Sequence, residues 1–424
     1  MQKEVLMFRN SENITNYIIN FKIDSRVKLP NVKSKSTQVE DIKLNDTTVK
    51  QYINEFWTSG QRQASSLQEI SYRACFKPQL PRFFINLLTN EGDIIYDPFS
   101  GRGTTPIEAG LLNRNIVTND VNPISKIFTY PRLFIPTLQE IEKRLESISF
   151  DYNVEKELDL SMFYHKDTES EIVSLRNYLY KKRTESDEDC IDNWIRMVAT
   201  NRLTGHSPGF FSVYTLPPNQ AITRERQIKI NQDRNQTPPY RDVKKLIYNK
   251  SKALLKDVDV DIIHKLSTTG NEAQFLEKDA RYTQEIESDS VKLTVTSPPF
   301  LNIVQYSKDN WLRCWFNRLN EKEIEKNITM TNNIDDWCHV MQDVFHELYR
   351  ITQTGGWVAF EVGEVKNGKI RLDEYVADIG LKAKFNCFGI LVNLQSFTKT
   401  SNIWGVKNNS KGTNTNRIVL FYKE

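Results

Sequence analysis

Residues 93–123, DIIYDPFSGRGTTPIEAGLLNRNIVTNDVNP, leave little choice of fold. An apolar run ends on Asp97, Gly101 and Gly103 mark a turn, PIEAGLLNRN has helical spacing, and a second apolar run ends on Asp120. Strand, glycine turn, helix and strand with a terminal acid form the first half of a nucleotide-binding α/β sheet. The two glycines let the chain turn sharply and approach a ligand with no Cβ in the way, and the helix behind them offers free N–H groups. Neither GxGxxG nor a GK[ST] ending is present, so the loop is not built as a phosphate cradle. Asp97 instead puts a carboxylate at the strand end, which suits a cationic or amine-bearing ligand. Asp120 stands where related sheets place the acid that binds a ribose. Both acids could be ordinary caps, but strand context, glycine spacing and the downstream acid together favour a nucleoside-type cofactor.

The remaining pattern divides the 424 residues into four parts. Residues 1–50 are polar, lysine-rich and without sustained period, and read as a loosely packed N-terminal extension. Residues 51–130 hold a helical QYINEFW, the helix PQLPRFFINLLT and the glycine loop. Residues 131–270 break the α/β rhythm and read as a large, mainly helical insertion, with a loop-rich middle at HSPGFFSVYTLPPNQ. Residues 271–424 restore it: AQFLEKDARY with Asp279 at a strand end, VKLTVTSPPF, a long helix around WCHVMQDVFHELYRIT, the strand GGWVAFEVG, and a last pair at FNCFGILVNLQSF and TNRIVLFYK. No apolar run reaches the ~20 residues of a membrane span, and MQKEVLMFRNSENIT lacks the apolar stretch of a secretory signal, so a cytoplasmic protein is expected. The five cysteines are scattered and never in CxxC spacing, which suggests neither a disulfide frame nor a zinc site.

DPFSGRGTT resembles the cofactor loop of the DNA amino-methyltransferases, which modify exocyclic amines, and TSPPF resembles their catalytic loop in its cytosine-N4 form. KPQLPRFFINLL is similar to the helix that precedes the cofactor loop in that family. The resemblance covers about 70–130 and 270–424. It implies a Rossmann-like fold, S-adenosylmethionine as cofactor, double-stranded DNA as partner and a place in restriction-modification, with a cognate endonuclease on the same site and no metal. By matching positions, Asp97, Phe99, Gly101 and Gly103 would surround the methionine and sulfonium, with Pro98 and Thr104 also binding the cofactor, Asp120 would hold the ribose and Asp279 the adenine amine. The long segment between the two loops falls before the Asp279 strand, a departure from the family's order.

The resemblance gives TSPPF a chemistry. A cytosine amine is a poor nucleophile because its lone pair is delocalised into the ring, and acceptors aimed at its hydrogens favour a pyramidal, nucleophilic nitrogen. Ser297 can accept through its hydroxyl and Pro298 through its carbonyl, Pro299 stiffens the turn, and Phe300 offers a ring to a base flipped out of the duplex. Tyr306 resembles a tyrosine that follows this motif and would line the same pocket. Serine argues for cytosine, since the adenine-N6 enzymes of the family usually carry Asp or Asn there. A second prolyl pair, QTPPY at 236–240, lacks a strand to present it and reads as a turn.

Residues 221–256 are strongly basic, and Arg224, Arg226, Arg234 and Arg241 are the candidate DNA contacts of a target-recognition region. Alone, such a run is more often a solvated helix face. Glu364 with Lys366 reads as a surface turn, and His339 with His346 as histidines without a third metal ligand. The expectation is a DNA cytosine-N4 methyltransferase. Adenine-N6 or RNA guanine-amine methylation on the same fold is the first rival, and a nucleic-acid-binding module with a decayed cofactor site the second.

Overall fold

The computed structural model describes residues 11–22, 36–44, 47–57, 64–73, 75–216, 221–299, 306–328, 331, 333–365, 370–394 and 415–424. The strands are β1 (Gln38–Leu44), β2 (Thr47–Asn54), β3 (Ile94–Asp97), β4 (Asn115–Asn119), β5 (Gln274–Leu276), β6 (Val291–Thr296), β7 (Thr352–Val362), β8 (Glu364–Val365), β9 (Ile370–Arg371), β10 (Asn386–Leu394) and β11 (Thr415–Tyr422). The helices are α1 (Ser11–Ile19), α2 (Gln79–Leu88), α3 (Thr104–Leu111), α4 (Ile124–Thr129), α5 (Leu138–Ser147), α6 (Lys166–Thr184), α7 (Cys190–Arg202), α8 (Arg224–Asp233), α9 (Val243–Leu254), α10 (Val260–Asn271), α11 (Tyr306–Asn317), α12 (Glu321–Asn327), α13 (Ile334–Ile351) and α14 (Leu372–Lys382).

One nine-stranded sheet carries the molecule, in the order β1-β2-β10-β11-β7-β6-β3-β4-β5. β5, β4, β3, β6 and β7 are parallel, and β11 is inserted antiparallel between β7 and β10. The order runs outward from β3 to β5 and then restarts on the other side with β6. The crevice between the ends of β3 and β6 is therefore a topological switch point, where α/β sheets bind ligands. This is a mixed α/β architecture built on one central, largely parallel sheet.

Side chains alternate across the sheet, as the pleat requires. Leu293, Val295 and Ala359 enter the core beneath α2, α3 and the insertion, while Val358, Phe360 and Val362 face α13 and α14. On α13 the stripe Trp337, Met341, Val344, Phe345 and Leu348 repeats every three or four residues and is buried throughout. Each such side chain contributes roughly 1.5–3 kcal/mol by leaving water.

The N-terminal region differs from the sequence reading. QYINEFW is not helical: Gln51–Asn54 lie in β2, which pairs parallel with β10 at Gln51–Ile390 and antiparallel with β1. Tyr52 and Phe56 have a spacing that suits a helix, but the open edge of β10 supplies backbone partners, and tertiary pairing overrides local propensity. The boundary at residue 50 thus falls inside a strand, and Ile14 and Ile18 of α1 are buried in the core rather than on a loose tail.

The insertion is helical, from α5 to α9. Its last helix by sequence, α10, belongs to the sheet: it packs on α3 and β4 as the crossover into β5. A Cβ at Gly110 of α3 would come within 2.9 Å of Leu266 of α10, so the glycine permits that close packing. Trp194 of α7, fully buried, donates its indole N–H to Ser251 Oγ of α9 at 3.0 Å and ties the insertion together. All five cysteines are free thiols.

Candidate active site

The cofactor loop is held from below. Asp97 is 2% exposed, and its Oδ1 accepts from Thr296 Oγ1 at 2.6 Å and from the Phe99 N–H at 3.1 Å. The carboxyl group therefore joins the ends of β3 and β6. Burial pushes its carboxyl up to about 7, against the pull of the Thr296 and Phe99 hydrogen bonds.

Gly103 has φ +78°, and a Cβ there would lie 2.1 Å from Thr129 Oγ1, so it serves close packing against α4. Gly101, at φ +52°, does face the pocket. Its N–H donates to Asp120 Oδ2 at 2.8 Å, while Asp120 Oδ1 accepts from the Asn122 N–H at 2.9 Å. Each Asp120 oxygen keeps a lone pair, so the carboxylate is both oriented and able to accept from a vicinal diol. Burial raises it to about 6.

Pro98, Phe99, Gly101, Thr104, Asp120 and Asp279 share one pocket with Ser297 and Pro299, enclosing about 1040 Å³ including its open mouth. Asp279 lies beyond the end of β5, and Arg281 engages its carboxylate at 2.6 Å, which lowers its proton affinity despite partial burial. Two walls escaped the sequence reading. One is the face of α13 formed by Trp337, Val340, Met341 and Val344, whose helical spacing was visible but reads equally as core. The other is the segment from Tyr72 to Phe76, which carries no period. The chain just before it is fastened through its carbonyls: Arg102 donates to Ile70 O at 2.8 Å, and Arg313 of α11 and Asn201 of α7 donate to Ser71 O at 3.0 and 2.9 Å. The insertion, through Asn201, thus helps to hold the approach to that wall of the pocket.

At the end of β6, Thr296 pairs with Phe360 of β7, so the next residues along, Ser297 and Glu361, are neighbours. The Ser297 hydroxyl lies beside the Glu361 carboxylate and lowers its proton affinity, and Asn416 Nδ2 donates to Glu361 Oε1 at 2.9 Å. Glu361 is 8% exposed, and burial pushes its carboxyl above the usual range although both hydrogen bonds oppose the shift. Glu361 was not picked out in the sequence; the only signal was an acid inside an otherwise apolar strand. Pro299 O accepts from Trp337 Nε1 at 3.0 Å. Phe300 lies outside the described residues, and Tyr306 opens α11 just beyond the loop.

QTPPY forms an irregular link between α8 and α9, with Thr237 exposed and the Tyr240 hydroxyl donating to Glu171 Oε1 at 2.8 Å. Of the basic candidates, Arg224 and Arg226 are exposed on α8, Arg234 is exposed with its guanidinium 4.0 Å from the Tyr214 ring centroid, and Arg241 is half-buried. The start of α8 sits against α11: Ala221 N donates to Asp309 O at 2.9 Å and Trp311 Nε1 to Ile222 O at 3.1 Å. Glu364 belongs to the short β8–β9 ladder, and Lys366 lies outside the described residues. Among the described residues no group of His, Cys, Asp or Glu could hold a metal ion, and no helix is long and apolar enough to cross a membrane.

Residues 1–156 match the family described as DNA methylase. Over 238 residues the chain is 24% identical to the type II methyltransferase M.BsoBI of Geobacillus stearothermophilus, covering 55% of this chain and 36% of that one. Over 74 residues it is 34% identical to the type II methyltransferase M.MjaII of Methanocaldococcus jannaschii, covering 18% and 14%. Over 108 residues it is 29% identical to a tRNA (guanine(10)-N2)-dimethyltransferase of the same organism, covering 25% and 30%. The chain thus spans well under two thirds of the length of each relative. The likeness to DNA methylases is thus one of the N-terminal part of the chain in the family match and of partial stretches in the relatives.

Proposed function

We propose that the protein transfers a methyl group from S-adenosylmethionine to the N4 amine of a flipped cytosine in double-stranded DNA, as the protective enzyme of a restriction-modification system. The observation that carries this reading is the pairing of Ser297 with Glu361 at one edge of the pocket that Gly101 and Asp120 open at the other. The pocket fits the cofactor: an oriented acid stands ready for a ribose, a glycine lets a ligand approach the backbone, and apolar walls receive the adenine. When bound, S-adenosylmethionine supplies an electrophilic methyl group on a sulfonium.

The chain's own residues then act on the amine. Ser297 donates its proton to Glu361 and so leaves its lone pairs to accept from the amine, and the Pro298 carbonyl is the second acceptor. The proton that nitrogen sheds as it is methylated passes to the Glu361 carboxylate through the Ser297 hydroxyl. A carboxyl whose proton affinity is raised by burial suits that task near neutral pH. Phe300 supplies the ring on which the base stacks, and Tyr306 lines the base pocket. Arg224, Arg226, Arg234 and Arg241 contact the DNA from the insertion, a role supported by the seating of the start of α8 against α11 just after the catalytic loop.

The tRNA guanine-amine relative favours a second reading, in which the same site methylates an amine in RNA. Mass spectrometry of nucleosides from DNA and RNA treated with the purified protein separates the two. N4-methylcytosine in DNA is the expected product. N6-methyladenine alone, or methylation confined to RNA, would overturn the cytosine assignment.

A further inference from the structure

The catalytic loop has an anchoring problem. Two successive prolines carry no backbone N–H, so beyond Thr296 the loop cannot continue the sheet's ladder by donating at Pro298 or Pro299. At those two positions the backbone can be held only through its carbonyls. Among the described residues the Trp337 indole donates to Pro299 O at 3.0 Å, and on the other side of Pro298 the Ser297 hydroxyl lies beside Glu361.

We propose that Trp337 is a positioning residue for methyl transfer, its N–H fixing the Pro299 carbonyl so that the Pro298 carbonyl before it stays aimed at the amine. The proposal rests on the amine-methylating reading above. An indole N–H is a donor only, so the contact fixes one orientation of the peptide. Trp337 is 2% exposed and sits on α13, whose apolar stripe is packed against the sheet, so the donor is on a rigid support. Its ring also lines the cofactor pocket, so one side chain touches both the space for the cofactor and the loop that orients the base.

A tryptophan that merely fills the core would act through its ring and not through its N–H. Trp337→Phe keeps an aromatic ring and removes the donor, and 3-benzothienylalanine introduced at 337 keeps the full bicyclic shape with sulfur in place of N–H. We expect either variant to lose about 10- to 100-fold in the single-turnover rate of methyl transfer to duplex DNA, the scale of a misplaced reacting group. In the benzothienyl variant, which keeps the ring's shape, cofactor Kd, DNA Kd and thermal midpoint should stay near wild type. The fluorescence of 2-aminopurine at the target position should still rise on binding, showing that flipping survives. A wild-type rate in the benzothienyl variant overturns the proposal, as does a rate loss matched by an equal loss of cofactor affinity. Absence of transfer by the wild type to any nucleic acid overturns the amine-methylating reading itself, a separate outcome visible before any variant is made.

Discussion

The loops at 296–300 and 236–240 both carry a hydroxyl residue, two prolines and an aromatic ring, yet the fold treats them differently. TSPPF leaves a buried strand at the sheet's switch point, beside an acid on the neighbouring strand and an indole on the helix above. TPPY joins two helices of the insertion, its threonine is in solvent, and its tyrosine hydroxyl fastens to Glu171. The same short motif thus opens onto the pocket in one place and is a brace in the other. What differs is the element that presents the loop and the groups waiting opposite it, not the composition of the loop.

Substitutions can break that contrast, the largest effect first. Ser297→Ala should lower turnover by about 10²-fold or more, the scale of a lost proton-transfer or electrostatic contact, while isotherms for the cofactor stay unchanged. Thr237→Ala, the matching change in the lookalike loop, should leave turnover within twofold. Equal losses in both would refute the division of roles.

Glu361→Gln should cost about 10- to 100-fold in rate and abolish the acid limb of the pH–rate profile, because the amide can hold Ser297 but cannot take its proton. A profile unchanged in shape would remove Glu361 from proton transfer.

The cofactor end of the site makes a pH prediction. Asp120 is raised to about 6 and Asp97 to about 7, both chiefly by burial. Their folded-state proton affinities exceed the unfolded ones, so the ligand-free protein binds more protons folded than unfolded between about pH 4 and 7. Stability is then highest in the acid part of that window and falls as pH rises through about 7. Calorimetric midpoints of the apo protein should decline accordingly. Cofactor affinity should move the opposite way, improving about tenfold from pH 5 to 7 as Asp120 ionises and accepts the ribose hydroxyls. Asp120→Asn should flatten that dependence.

The smallest effect belongs to the brace: Tyr240→Phe should cost about 1 kcal/mol of stability, the worth of one hydrogen bond to an acid, with little change in methyl transfer. Denaturant unfolding measures it, and a marked loss of activity would mean that the second loop reaches the DNA.

Much of this was legible in the chain. Ile94–Asp97, the glycine turn, α3 and β4 are local in sequence, so hydrophobic period, glycine and terminal acid were enough to place them. The α13 stripe and the last strand pair were readable for the same reason. QYINEFW was misread because its partner, β10, lies over 300 residues away, and no local signal announces a strand completed from so far. Residue placement followed the same rule. Asp120 could be guessed from its distance to the glycine loop, whereas the turning of Asp97 toward Thr296, the neighbourhood of Ser297 and Glu361, and the Trp337 contact all join residues from separate elements.

By itself, then, the sequence determined that a parallel α/β sheet would form, where its cofactor loop would turn, and that a serine would stand at the end of a buried strand, because each depends on periodicity and backbone freedom within a few residues. Only the tertiary structure decided which carboxylate would line the pocket and which would join two strand ends, and which of two prolyl loops would open onto that pocket. Burial and hydrogen bonding between distant segments set those outcomes, and they exist only once the sheet has brought its strand ends together.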